Sequence, residues 1–206
     1  MVARRPGDGA AGVVFSTPPL TRPPFYSPMS SSSSLVWQGD SWRLRVDSVQ
    51  LPDGSVVARG VVDHPGSVVL VPLRPLPHDY ELLMLRQYRH ALGQTIWELP
   101  AGTRGWEEDW LACAQRELRE ETGYRAAQLT NLGEIWPAPG LSNERMRLYL
   151  AQELSPDPLP GDVDEQIEVT PLPLADLVAM IYNGRIQDAK SIAGILKAAH
   201  FLQNIP

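Results

Sequence analysis

Between Gly102 and Tyr124 the chain reads GTRGWEEDWLACAQRELREETGY. On a helix, Glu117 and Glu121 stand four residues apart and Glu120 three from Glu117, so the three carboxylates share one face. Like charges packed that way repel, which a helix serving only to pack would avoid. Clustered carboxylates are the hard oxygen ligands that Mg²⁺ or Mn²⁺ prefers, and magnesium commonly shares its sphere with waters and substrate phosphates. The face therefore reads as a metal site. Gly102 would let the preceding loop bring its backbone close to that metal, because it carries no Cβ.

A helix over residues 107–122 is needed to hold these groups in phase. Trp110, Leu111, Ala114, Leu118 and Thr122 supply its apolar side, and Gly123 supplies the residue after its end. Before it, residues 42–47 alternate apolar and polar, Pro52-Asp53-Gly54 is a turn signal, and the β-branched run 55–62 returns as a hairpin. Residues 67–73 (SVVLVPL) and 81–89 (ELLMLRQYR) read as buried strands joined by a loop with two prolines. After the helix come strand-like runs at 129–136, 146–153 and 166–172, then helical patterns at 174–182 and 188–202. The sum is an α+β fold with most strands early and two helices closing the chain. Residues 1–34, with Pro6, Pro18, Pro19, Pro23, Pro24, Pro28 and the run of serines from Ser30 to Ser34, read as a disordered tail that cannot bury a core. Residues 35–64 then form an N-terminal β-hairpin subdomain, and 65–206 the main domain.

The register of the acidic segment is more specific than its composition. Gly102 is followed after five residues by Glu108, and after seven more by Arg116-Glu117-Leu118-Arg119-Glu120-Glu121-Thr122-Gly123. Seven fixed Gly, Glu and Arg positions would coincide by chance at about one in 10⁸. The segment resembles the Nudix box, G-x5-E-x7-R-E-U-x-E-E-x-G-U with U aliphatic, and departs from it only in Tyr124, an aromatic in an apolar slot. Upstream, Arg86-Gln87-Tyr88-Arg89 and Trp97-Glu98-Leu99-Pro100-Ala101-Gly102 resemble the ADP-ribose pyrophosphatase branch of that family, as does the loop Pro139-Gly140-Leu141-Ser142-Asn143-Glu144 downstream. The acidic stretch Gly161-Asp162-Val163-Asp164-Glu165-Gln166-Ile167-Glu168-Val169 is similar to the loop from which that branch draws its catalytic glutamate.

The resemblance implies an α/β/α sandwich with an N-terminal antiparallel β-subdomain, and Mg²⁺-dependent hydrolysis of ADP-ribose to AMP and ribose 5-phosphate, with Mn²⁺ as a second metal option. It implies metal ligation by Glu117, Glu121 and the Ala101 carbonyl, with Glu120 adding an oxygen or bridging through water, and it makes Glu165 the base, with Asp164 and Glu168 as local competitors. Arg89 becomes a phosphate clamp, since a guanidinium meets a phosphoryl oxygen pair in bidentate fashion. Gly140 and Glu144 fall in the substrate loop, Glu144 accepting from ribose hydroxyls. Trp42 would stack on adenine and Arg59 would reach over it from a partner subunit, which makes a homodimer through the N-terminal hairpins an expectation of the same resemblance. Arg116 reads as structural, paired with Glu108. Glu108 itself is open between an outer ligand and a charge favoured at the helix N-terminus.

Composition narrows the rest. The 206 residues carry 24 Asp+Glu against 18 Lys+Arg, a net charge of -6, which argues against a phosphate-backbone binder of nucleic acid. No apolar run reaches the roughly 20 residues that span a bilayer, and no export signal is read, so a cytoplasmic protein is expected. One cysteine, Cys113, excludes a disulfide framework and reads as a small core residue. His64, His78, His90 and His200 have no ligand spacing and read as structural or exposed. The alternatives are a pyrophosphatase for another nucleoside diphosphate sugar or NADH, and a Nudix-like sensor that binds ADP-ribose without cleaving it. A sensor usually loses box glutamates, and all are present here.

Overall fold

A computed structural model describes residues 30–161 and 166–204. Two sheets organise them. The first is antiparallel, β1 (Ser30–Gln38), β2 (Arg43–Gln50) and β3 (Val56–Asp63) in the order β1-β2-β3. The expected turn joins β2 to β3: Asp53 Oδ1 accepts from the Ser55 amide at 3.0 Å, and Gly54 takes the left-handed φ of +85°. The serine run is a correction. Ser32, Ser33 and Ser34 face Ser48, Asp47 and Val46 across the β1–β2 ladder, so the subdomain begins at Ser30 and not at residue 35. Pairing with β2 supplies the backbone partners that local propensity would not predict for serine.

The second sheet has seven strands. Along its main path β10 (Ile167–Pro173), β5 (Tyr80–Arg89), β4 (Ser67–Pro75), β9 (Met146–Pro156) and β8 (Tyr124–Ile135) lie side by side, with β4 and β9 parallel. Two short strands, β6 (Gln94–Glu98) on β5 and β7 (Ala101–Thr103) on β4, have no counterpart in the hydrophobic periodicity. Val68 to Val71 of β4 are wholly buried, as a strand covered on both faces must be. Val68 and Leu70 pack with Cys113, Ala114 and Leu118 of helix α1 (Trp110–Thr122). Val69, Val71 and Leu73 pack on the opposite side with Leu177 and Met180 of α2 (Leu174–Tyr182) and Ile195 and Ala198 of α3 (Ala189–Gln203). Each such buried aliphatic side chain contributes about 1.5–3 kcal/mol. The architecture is the expected α/β/α sandwich with an N-terminal antiparallel sheet.

Helix α1 is shorter than its sequence pattern. It starts at Trp110, because Asp109 caps it by accepting from the Leu111 and Ala112 amides at 2.9 and 3.1 Å. Glu107 and Glu108 lie before the helix. Leu111 is 50% exposed, and the face on the sheet is carried by Cys113, Ala114 and Leu118 instead. Gly123 closes the helix at φ +77° and donates to the Arg119 carbonyl. The N-terminal sheet is tied to the main one through the 139–144 loop: Val62 donates to the Leu141 carbonyl at 2.9 Å and accepts from Ser142 Oγ at 2.9 Å.

Candidate active site

The carboxylate face of α1 is laid against β7. Glu121 Oε2 accepts from the Ala101 amide at 2.8 Å. Glu117 lies so close to Gly102 that a Cβ there would fall 1.9 Å from the Glu117 carboxyl carbon. Glycine at 102 is thus required by close approach. Both glutamates are nearly buried, 8% and 7% exposed.

Arg116 organises this face. Its Nε and Nη2 meet the two oxygens of Glu108 at 2.9 and 3.1 Å, the pairing expected of it. It also reaches further than expected: Nη1 donates to Glu117 at 2.7 Å and to Glu120 at 2.9 Å. The Arg116 bonds and the Gly105 amide hold the Glu108 carboxyl down to about 2 against its partial burial. Glu108 therefore stands in the structure as an ion-pair partner at the helix entrance. Three carboxylates, Glu108, Glu117 and Glu120, share the single guanidinium of Arg116, and Glu121 adds a fourth on the same helix face. That excess of hard oxygen donors suits a divalent cation, to which Glu117, Glu120, Glu121 and the Ala101 carbonyl are available by position. Among the described residues no three acidic, His or Cys side chains are already drawn around one point. Cys113, buried beneath, has its thiol pushed up to about 12 by burial and is an inert core group.

A cavity of about 640 Å³ opens over this face. Arg89, Ala101, Glu117, Glu120, Glu121 and Glu144 all line it, so six of the expected positions converge. The Glu144 carboxylate accepts from Ser67 Oγ at 2.6 Å, and the Glu144 amide donates to Ser142 Oγ at 3.0 Å. His64 Nδ1 lies 3.8 Å from Glu144, and burial, outweighing that charge, keeps the imidazole below its ordinary range. Arg89 is gripped by Glu98 in bidentate fashion at 2.6 and 2.7 Å.

Three expected positions do not line the cavity. Trp42 is 39% exposed and packs on Trp37 with ring centroids 4.4 Å apart, although its neighbour Ser41 reaches the cavity rim. Arg59 is exposed on β3 opposite Asp47, and Gly140 sits in an open turn. Glu165 and Asp164 lie outside the described residues. Glu168 is exposed on β10, 3.7 Å from Arg86.

Sequence reasoning passed over one cluster on the cavity wall. Glu98 is 2% exposed and takes the ammonium of Lys190 as well as the guanidinium of Arg89. Lys190 also meets Asp188, the N-cap of α3, at 2.9 Å. The signal was present, since Lys190 falls in phase with Gly194 and Ala198 on the buried side of α3, where a lysine has no packing reason to be.

The likenesses to known proteins agree with this geometry. The sequence model of the NUDIX domain matches residues 64–194. The chain is 37% identical over 169 residues to the ADP-ribose pyrophosphatase of Mycobacterium tuberculosis (strain ATCC 25618 / H37Rv), covering 80% of each protein. It is 34% identical over 162 residues to the ADP-ribose pyrophosphatase of Bacillus subtilis (strain 168), covering 78% of this chain and 86% of that one. A crystal structure of an ADP compounds hydrolase superposes with a TM-score of 0.72 at 22% identity, over 85% of this chain and 94% of the other, a likeness of fold.

Proposed function

This chain belongs to the Nudix family, and from that premise we propose that it hydrolyses the pyrophosphate bond of ADP-ribose, giving AMP and ribose 5-phosphate, with Mg²⁺ as cofactor and Mn²⁺ as a substitute. The observation that carries the reading is the convergence of Glu117, Glu120 and Glu121 with Arg89 and Glu144 around one cavity, in a chain whose relatives bear that activity in their names.

A pyrophosphate presents two phosphoryl centres crowded with negative charge. The bound metal would neutralise that charge and lower the pKa of a water. Glu117, Glu121 and the Ala101 carbonyl would hold it, with Glu120 adding an oxygen. Arg89 meets a phosphoryl oxygen pair from the cavity wall, and Glu144, steadied by Ser67, accepts from ribose hydroxyls. Glu165, by its place in the acidic loop, removes the proton from the attacking water. One P–O bond forms from that water, and the bridging P–O bond breaks.

Trp42, stacking on adenine, and Gly140, in the substrate loop, belong to the substrate set, and Arg59 joins it from the partner subunit of a homodimer. Two features favour it. Trp42 and Arg59 do not line the cavity of their own chain, and the N-terminal sheet exposes Leu35, Val36, Trp37 and Val56, 47–61% accessible. Large apolar side chains left exposed on so small a sheet suit a subunit interface. The partners are thus ADP-ribose and a second copy of the chain, with no role for nucleic acid at a net charge of -6. No described helix is long and apolar enough to cross a membrane, and cytoplasmic residence is part of the proposal.

Hydrolysis in ¹⁸O-labelled water tests the reaction. The account expects AMP and ribose 5-phosphate in equal amounts with the label on one of them; adenosine, ADP or free phosphate as the first product would refute it.

A further inference from the structure

On the cavity wall, Arg89 is tied to three groups that the box chemistry leaves unused: Glu98, Lys190 and Asp188. Glu98 Oε1 and Oε2 hold the Nε and Nη2 edge of Arg89, while the same Oε2 takes the buried ammonium of Lys190. Lys190 is in turn held by Asp188 Oδ2, which also accepts from the Ser191 amide at 3.0 Å and from Ser191 Oγ at 2.5 Å. Ser191 Oγ accepts from the Leu99 amide at 2.7 Å, and a Cβ on Gly194 would fall 2.5 Å from Leu99 Cδ1. The first turns of α3 are therefore locked on both Glu98 and Leu99, and Lys190 has no freedom to swing away.

Such a lock is expensive for mere cohesion. An ammonium and a carboxylate, each at least nine-tenths buried, lose hydration that their attraction does not fully return, and an apolar pair of equal volume would hold α3 to the sheet as well. What the charged version does is chemical. One carboxylate facing one guanidinium would cancel its charge toward the cavity. With Lys190 on the same oxygen, Glu98 is divided between two cations, and Arg89, 39% exposed at the cavity, keeps its field for an incoming anion. The bidentate grip also fixes the plane of the guanidinium before substrate arrives.

We propose that Lys190 is a positioning residue for substrate, acting through Glu98 to set the orientation and the effective charge with which Arg89 meets the pyrophosphate. The inference rests on the reading of the cavity as a pyrophosphatase site. It adds to it a residue on α3, a helix that carries none of the box.

The test is a double-mutant cycle in the full-length protein, with kcat and KM for ADP-ribose measured at saturating Mg²⁺ in wild type, Lys190→Met, Arg89→Gln and the double variant. The expected result is a roughly tenfold loss of kcat/KM on Lys190→Met, carried mainly by KM, shrinking to less than about twofold in the Arg89→Gln background. Equal losses in the two backgrounds, or a silent Arg89→Gln, would overturn the proposal while wild-type turnover left the pyrophosphatase reading standing. A readout independent of turnover is the ¹⁵N resonance of Arg89 Nε, assigned by its disappearance in Arg89→Gln. It should move or broaden in Lys190→Met, and an unchanged resonance counts against the proposal even if the protein proved inactive on ADP-ribose. Lys190→Gln, which keeps a donor in the buried slot without the charge, takes the place of Lys190→Met if that variant does not fold, with the same outcomes deciding.

Discussion

Glu117 and Glu121 are the residues on which the chemistry depends most. Replacing either by Gln keeps its shape and removes a charge from the metal face, so kcat should fall by roughly 10²-fold or more while the thermal midpoint holds. Near wild-type turnover of either variant at saturating Mg²⁺ would remove that residue from the ligand set. Glu108 has a different consequence, which is thermodynamic. Its folded carboxyl lies at about 2 against an ordinary 4.5, held there by Arg116. A depressed folded pKa stabilises the native state above the unfolded value and loses that contribution as pH falls from about 4.5 toward about 2. Urea midpoints of wild type and Glu108→Gln should therefore differ at pH 6 and converge near pH 2; a gap that persists unchanged into acid would show that the ion pair is not its source. The residue-level reading from sequence was strong where spacing carried it. The box carboxylates stand in a register that packing does not explain, whereas Arg89 and Glu144 are legible only through the resemblance to the pyrophosphatase branch. Lys190 is marked only by its phase with Gly194 and Ala198, and its partner Glu98, 92 positions away, leaves no trace in local spacing.

At the scale of elements, the site depends on how closely α1 approaches β7. Gly102→Ala would push a methyl onto the Glu117 carboxylate, the far end of a flexible side chain. The carboxylate can yield at small cost in stability, but only by leaving its place. A loss of about 10- to 100-fold in kcat with a shift of a few degrees at most in thermal midpoint is expected, the usual cost of disturbing a ligand's support. Full activity with a large drop in midpoint would mean that the glycine serves packing alone. Most elements were legible because the physics that builds them is local. β4 is a continuous apolar run, and α2 and α3 show helical spacing where the structure has them. β6 and β7, five and three residues long, carry too few positions for any period and exist only because β5 and β4 offer them partners. The same reason hid β1, whose serines join the sheet along the backbone ladder with β2. Helix α1 is shorter than the expected 107–122 because Glu107 and Glu108, which suit a first turn, precede the cap at Asp109.

The whole molecule is where the proposed dimer acts. If Arg59 reaches the neighbouring cavity, an Arg59→Ala chain and a Glu117→Gln chain each form defective homodimers, but a mixed dimer contains one site with both residues intact. Mixing the two proteins should restore part of the activity once subunits exchange. No restoration after independently verified exchange would confine the site to one chain and leave Arg59 as strand surface. The central claim, that the α1 face and its cavity cleave ADP-ribose, is tested most directly by kcat/KM in Mg²⁺ across ADP-ribose, other nucleoside diphosphate sugars, NADH and 8-oxo-dGTP, since only that ratio expresses discrimination between competing substrates. ADP-ribose should give the highest value and lose it in Glu117→Gln; a higher value for any other member of the panel, or ADP-ribose turnover that survives Glu117→Gln, would rule the assignment out.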